Sequence, residues 1–280
     1  MRVPRLLAAT AIAAVAASAL VTTPAAFAAP VPAPDLHYTF DTLSGTLAAG
    51  AAIPDTGVRT PRTDGVVRNG GVTVVPGVTG AAGDEAIHLT GGRNDADAVA
   101  SYIELPNDIV SSTDTAVTVS VWTKWEGADN GNCQLVFGVG RATTKNLLSS
   151  TSCNGTYGAV SDAPNGERRV GDGGAALPVN HWANVTLVFQ PGQKISYYVN
   201  GQLDGGNAEA TGIGHTIDAA LGQNGVGGYL GKSFWDDPYY GGALDDVRIW
   251  TTALTADEIR AAGADQYSAL LASESVSLGD

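Results

Sequence analysis

Apolar and polar residues alternate with period two in a series of short segments along this chain, and no long helical pattern appears. In Ala116 to Lys124, Val117, Val119 and Val121 alternate with Thr118, Ser120 and Trp122, which predicts a half-buried strand. Cys133 to Val139 sets Leu135, Phe137 and Val139 on one face, and Asn146 to Val160 is expected to pair with it. Trp182 to Phe189 and Lys194 to Val199 alternate equally well, with Val185, Leu187 and Phe189 in the first and Ile195, Tyr197 and Val199 in the second pointing inward. Pro191-Gly192 turns between these two, and Asn200-Gly201 closes a two-residue hairpin, so three consecutive antiparallel strands are expected. Leu36 to Phe40, Val72 to Val75, Glu85 to Leu89 and Ser101 to Leu105 carry shorter strand signals. Thr42 to Gly83 reads as a meandering connection, and Asp204 to Gly228 as a glycine-rich loop region.

The closing stretch, Tyr229 to Ile259, concentrates aromatic and acidic residues. Gly241-Gly242 opens a strand, Ala243 to Trp250. Strict alternation there puts Asp245 on one face with Val247 and Ile249, where an unpaired carboxylate would be costly. Thr255 followed by Glu258 is a capping box, with Gly263 as the helix stop. Residues from 264 onward read as a tail of low structure content. Ten or more short strands and one short helix predict an all-β, two-sheet antiparallel sandwich or jelly roll.

Composition adds a compartment. Arg2 and Arg5 precede an apolar run, Leu6 to Val21, and Ala26-Phe27-Ala28 is a small-x-small cleavage site, so residues 1–28 are expected to be a signal peptide and the protein secreted. Residues 29–35 read as a Pro/Ala linker, 36–263 as one domain, and 264–280 as the tail. No second long apolar run follows, so no membrane insertion is expected after cleavage. Removing Arg2 and Arg5 takes the formal charge from −13 to −15. A surface so acidic argues against nucleic acid as a partner. Cys133 and Cys153, the only cysteines, are expected to form a disulfide in an exported protein, closing a loop of about twenty residues worth ~3 kcal/mol.

Five segments in order resemble a known family. They are Leu36 to Asp41 (LHYTFD), Ala86 to Leu105 with its Tyr-Ile-Glu-Leu-Pro end, Val117 to Trp125, His181 to Asn200-Gly201, and the closing Gly-Ala-Leu-Asp-Asp-Val-Arg-Ile-Trp with Ala-Leu-Thr-x-x-Glu-Ile. Together they resemble a laminin-G-like jelly-roll domain of the concanavalin A-like lectin/glucanase superfamily. The resemblance implies two antiparallel sheets packed face to face, one of them concave. It also implies one structural calcium ion near the first and last strands, with Asp41, Asp245 and Asp246 at the matching positions.

The residue chemistry points to binding rather than catalysis. Glycanases of that superfamily carry Glu-x-Asp-x-x-Glu on a strand, and no such spacing occurs here. Glu126 is the one lone acid candidate, and it reads more readily as a solvated strand end. The four histidines lack zinc spacing. Trp235, Tyr239 and Tyr240 beside Asp236 and Asp237 form a candidate sugar-binding loop, with Trp125 and Tyr157 as edge candidates; packing of Trp235 against the sheet is the competing reading. The expected function is a secreted, non-catalytic, lectin-like module that binds carbohydrate or another extracellular partner. The alternatives are a glycoside hydrolase or lyase with an atypical site, and an adhesive protein without a sugar site.

Overall fold

A computed structural model describes residues 30–93, 100–127, 133–151, 155–162, 166–171, 176–204, 209–210, 216–222 and 226–277. In chain order its strands are β1 (Leu36–Tyr38), β2 (Thr46–Leu47), β3 (Ala52–Ile53), β4 (Gly65–Arg68), β5 (Val72–Pro76), β6 (Glu85–Gly92), β7 (Tyr102–Val110), β8 (Val117–Trp125) and β9 (Leu135–Ala142). These are followed by β10 (Lys145–Ser150), β11 (Tyr157–Ser161), β12 (Glu167–Val170), β13 (Trp182–Gln190), β14 (Lys194–Val199), β15 (Gln202–Leu203), β16 (Glu209–Ala210), β17 (Val226–Leu230) and β18 (Tyr239–Trp250). Helix α1 (Ile217–Leu221) precedes β17, and α2 (Ala256–Ala262) and α3 (Ala264–Ser277) end the described chain.

Among the described residues the strands form two antiparallel sheets. Sheet A runs β15-β14-β13-β8-β18-β6-β5-β2, with β1 on β18 and β16 on β14; sheet B runs β12-β11-β10-β9-β17-β7-β4-β3. One apolar core lies between them, drawn from the alternating positions of both inner faces: Val119, Val121, Val185, Leu187 and Tyr197 from sheet A, Ile103, Phe137, Val139, Leu147 and Val160 from sheet B. The expected all-β jelly-roll sandwich is therefore the architecture. Asn200 (φ 49°) and Gly201 (φ 71°) make the hairpin between β14 and β15 in the left-handed pair that such a turn requires.

Three expectations are corrected. The stretch from Asp204 to Gly228 is not all loop: it holds α1, capped by Thr216 accepting from the Ala219 amide, and it leads into β17, an interior strand of sheet B. Two glycines hide β17 in the sequence, and Gly228 (φ 141°) lies so close to the Gly138 carbonyl that no side chain fits. Residues 264–277, expected as a tail, form α3. Asp245 does not share the Val247 face. A bulge at Asp246 (φ 48°) shifts the β18–β8 register between Asp245 and Arg248. Leu244, not Asp245, joins Val247 and Ile249 in the core.

The capping box on α2 is present as expected, with Thr255 and Glu258 bonded reciprocally. Part of the expected linker is fixed to the sandwich. Pro32 accepts from the Trp250 indole at 2.8 Å, and Asp35 accepts from the Thr251 amide at 2.7 Å.

Candidate functional site

The outer face of sheet B, turned away from the core, carries the candidate site. Alternation sends Ile103, Leu105 and Leu230 inward, so Tyr102 and Glu104 on β7 and Tyr229 on β17 project outward. Across this face lies the loop 231–238, closed at its base by Gly231 donating to Val136 and by Tyr240 donating to Gly231, both at 2.9 Å. Inside the loop, Ser233 Oγ accepts from the Trp235 amide and donates to its carbonyl, both at 2.9 Å, a turn that presses Phe234 and Trp235 onto the sheet. Gly138 on β9 makes the seat: a Cβ there would stand 3.1 Å from the Phe234 ring.

Aromatic rings then run in series across the strands. Tyr239 stacks on Tyr102 at 5.8 Å, Tyr102 meets Tyr229 edge-on at 5.5 Å, and Tyr229 meets Phe234 at 5.2 Å. Beyond Phe234, Trp235 packs with Leu135, Leu148 and Tyr157, and the Arg169 guanidinium lies 4.2 Å over the Tyr157 ring. Lys232 sits over Tyr229 at 4.6 Å and donates to the Ser233 carbonyl; burial lowers its pKa and the Asp236 charge opposes that. The Phe234–Trp235 ridge divides the face into two clefts. One, of about 210 Å³, is lined by Glu104, Asn107, Arg141, Tyr229 and Phe234. The other, of about 160 Å³, is lined by Cys133, Tyr157, Glu167, Arg169, Trp235 and Asp237.

The second cleft brings together two carboxylates that lie far apart in sequence. Glu167 pairs with Arg169 at 2.6 Å. Burial pushes the Asp237 carboxyl above its ordinary value, and the charges of Glu167 and Asp236 add to the shift. Burial also pushes the Tyr157 hydroxyl up to about 12 despite Arg169, so it stays a neutral donor at this wall.

The candidate ligand residues divide. Trp235 and Asp237 line a cleft, and Asp236 is exposed on the loop. Tyr239 is buried behind Tyr102, its hydroxyl accepting from Asn69. Tyr240 and Trp125 are core residues and reach no surface: Tyr240 is bonded to Thr123, and Trp125 Nε1 donates to Gln134. The bulge turns Tyr240 inward with Leu244. Tyr102, Tyr229, Glu104, Glu167, Arg169 and Lys232 join this face without a sequence signal for ligand binding; Tyr102 and Glu104 stand in the sequence only as part of the Tyr-Ile-Glu-Leu-Pro motif. Alternation alone gave a signal for the outward position of Tyr102 and Glu104. Glu126, the lone acid candidate, is partnered by His88 at 2.9 Å on the surface. No cysteine is free among the described residues; Cys153, the expected partner of Cys133, lies outside them.

The three candidate metal residues do not converge. Among the described residues no three His, Cys, Asp or Glu side chains group as a metal site. Asp41 accepts from the Glu85 amide at 3.1 Å. Asp246 is occupied by His37 (2.5 Å), Arg248 (2.5 Å) and Gln266 (2.7 Å), and so ties β1, β18 and α3 directly. Asp245 instead meets Asp84. Both carboxylates converge on Gly77, where a Cβ would lie 2.7 Å from each, and Asp245 accepts from the Val78 amide at 3.0 Å. Burial raises the Asp245 pKa to about 8, with Asp246 and Asp84 adding to it.

Two facing antiparallel sheets with one face left open define a lectin-like jelly roll. The chain belongs to the concanavalin A-like lectin/glucanases superfamily, whose laminin-G family model matches residues 97–260. No curated protein matches the sequence. Among solved structures it is similar to domain 4 of AbnA, a GH43 extracellular arabinanase from Geobacillus stearothermophilus, in complex with arabinotriose. That match has a TM-score of 0.58 at 18% identity and covers 82% of this chain and 99% of that one. It is also similar to the binding domain of botulinum neurotoxin DC in complex with rat synaptotagmin II, with a TM-score of 0.55 at 13% identity, covering 79% of this chain and 51% of that one. Trypanosoma rangeli sialidase gives a TM-score of 0.55 at 16% identity, covering 83% of this chain and 33% of the enzyme. At these identities the likeness is one of fold.

Proposed function

We propose that the protein is a secreted, non-catalytic module that binds carbohydrate through the outer face of sheet B. The observation that carries this reading is the ring series Tyr102–Tyr229–Phe234, continued by Trp235 and Tyr157 and flanked by Glu104, Asp237 and Arg169. Ring faces take the apolar side of a sugar, and carboxylates and guanidinium fix its hydroxyls. The neighbours lend general support: the arabinanase domain was solved with arabinotriose and the sialidase with a sialic acid derivative. Export rests on residues 1–28, and the Cys133–Cys153 disulfide would anchor the wall of the second cleft. The test is a glycan array probed with the mature protein and with Tyr229→Ala. Binding that weakens at least tenfold in the variant supports the reading, and no glycan bound by either sinks it.

Calcium belongs to this proposal in altered form. The ion that the resemblance implies would be held by Asp245 with Asp84 in place of a proton, with Asp41 and Asp246 otherwise engaged. Melting at pH 8 with calcium and with EDTA tests it, since a ligand bound only to the folded state raises the midpoint. Equal midpoints remove the ion.

One observation favours a second reading. Asp237, held toward its protonated form, shares a cleft with Glu167, the kind of carboxylate pair a glycoside hydrolase uses. Release of new reducing ends from a bound polysaccharide, lost in Asp237→Asn, would establish it; binding without release leaves the module non-catalytic.

A further inference from the structure

A second aromatic platform lies on the opposite side of the molecule. Trp122 points out of the core on the outer face of sheet A, yet it is only 1% exposed. Its cross-strand neighbour on β13 is Asn184, the centre of a polar cluster. Asn184 Nδ2 donates to Ser120 Oγ at 3.0 Å, and Thr186 Oγ1 donates to Asn184 Oδ1 at 2.9 Å. What hides the indole is α3, whose Tyr267 ring lies 4.9 Å from it. Gln266 fastens the same turn to Asp246.

This cover fits poorly. Both Trp122 Nε1 and the Tyr267 hydroxyl are buried without a hydrogen-bond partner. Each is a donor that water or a ligand would satisfy and the closed interface does not, which costs free energy. The helix brings little apolar surface in return. Its sequence is mostly Ala, Ser and acidic residues, and Leu271 is 68% exposed. Along its flank opens a groove of about 490 Å³, lined by Trp182, Asn200, Gln202 and Tyr267 among others, which continues the mix of rings and amides toward the β14–β15 turn.

We propose that α3 is a displaceable lid over a second carbohydrate-binding face on sheet A, with Trp122 as its ring platform and Asn184 as its polar contact. Lifting α3 presents the indole face and its free N–H beside the Ser120–Asn184–Thr186 cluster. An indole beside amide and hydroxyl groups suits a pyranose or furanose ring. The proposal does not rest on the sheet B reading, because the two faces share no residue.

The test uses the full chain with Gln266→Ala and Tyr267→Ala combined, titrated with arabinotriose and with 3′-sialyllactose. The lid-loosened variant is expected to bind at least one probe tenfold or more tighter than the parent. Adding Asn184→Ala abolishes the gain, and adding Tyr229→Ala on the other face leaves it intact. A folded double variant that binds neither probe better overturns the proposal. Should that variant fail to fold, hydrogen exchange on the parent decides: α3 amides exchanging at least a hundredfold faster than those of β8 support a lid, and equal protection refutes it.

Discussion

The two outer faces of the sandwich start from the same sequence pattern and end differently. On sheet A, Trp122, Trp250 and Tyr198 leave the core and are covered again by α2, α3 and residues 31–35. On sheet B, Tyr102, Tyr229 and Trp235 leave the core and stay half-buried under a single loop, beside two clefts. Alternation therefore tells which residues quit the core, not which reach water. The covering elements decide that, and they lie far along the chain.

Stability should separate the faces most strongly. Trp250→Ala removes a ring that is 1% exposed and its bond to Pro32, and should cost about 3–5 kcal/mol in denaturant unfolding. Tyr229→Ala on the open face should cost under about 1 kcal/mol in the same measurement. Similar losses at both positions would erase the comparison.

The clasp on the covered side comes next. Asp246→Ala leaves Gln266 without its acceptor and both His37 and Arg248 without their carboxylate, and should cost roughly 3 kcal/mol. Asp246→Asn, which keeps the shape, should recover part of that. An Asp246→Ala midpoint equal to the parent's would mean that β1 and α3 are held by packing alone.

Asp245 gives a pH signature. Its folded pKa is raised to about 8, while the unfolded chain releases that proton near the usual carboxylate value of about 4. Between those values the folded state binds more protons, so stability falls as pH rises, by up to ~1.4 kcal/mol per unit, and levels off above pH 8. In metal-free buffer, Asp245→Asn should flatten this decline. A parent curve already flat from pH 5 to 8 would contradict the buried, protonated carboxyl. Smallest in energy is the cleft: Glu167→Gln should weaken the hold on Arg169, with a change in midpoint of about 0.5 kcal/mol or less and a larger change in ligand affinity.

Most of the sandwich was legible because its strands obey local rules. Val117 to Lys124 and Trp182 to Phe189 alternate, Asn200-Gly201 turns, and Thr255 with Glu258 caps. β17 was not legible, since its glycines answer to the neighbouring backbone rather than to a propensity. Nor was α3, whose weak apolar pattern gives no helical stripe. One left-handed residue, Asp246, reversed the facing of everything before it on β18 and so misplaced Asp245, while Tyr240, expected in the loop, belongs to β18 itself. The clefts were hidden for a different reason. Trp235 and Asp237 were visible as an aromatic–acidic loop, but their partners Glu167 and Arg169 come from β12, which only the sheet order brings alongside.

The most direct test of the open face is equilibrium titration of the best array ligand against the parent, Tyr229→Ala and Trp235→Ala, all confirmed folded. Binding by the parent, weakened about tenfold (~1.4 kcal/mol) by each substitution, is the expected result. Unchanged affinity in both variants would show that the outer face of sheet B is not where the ligand sits.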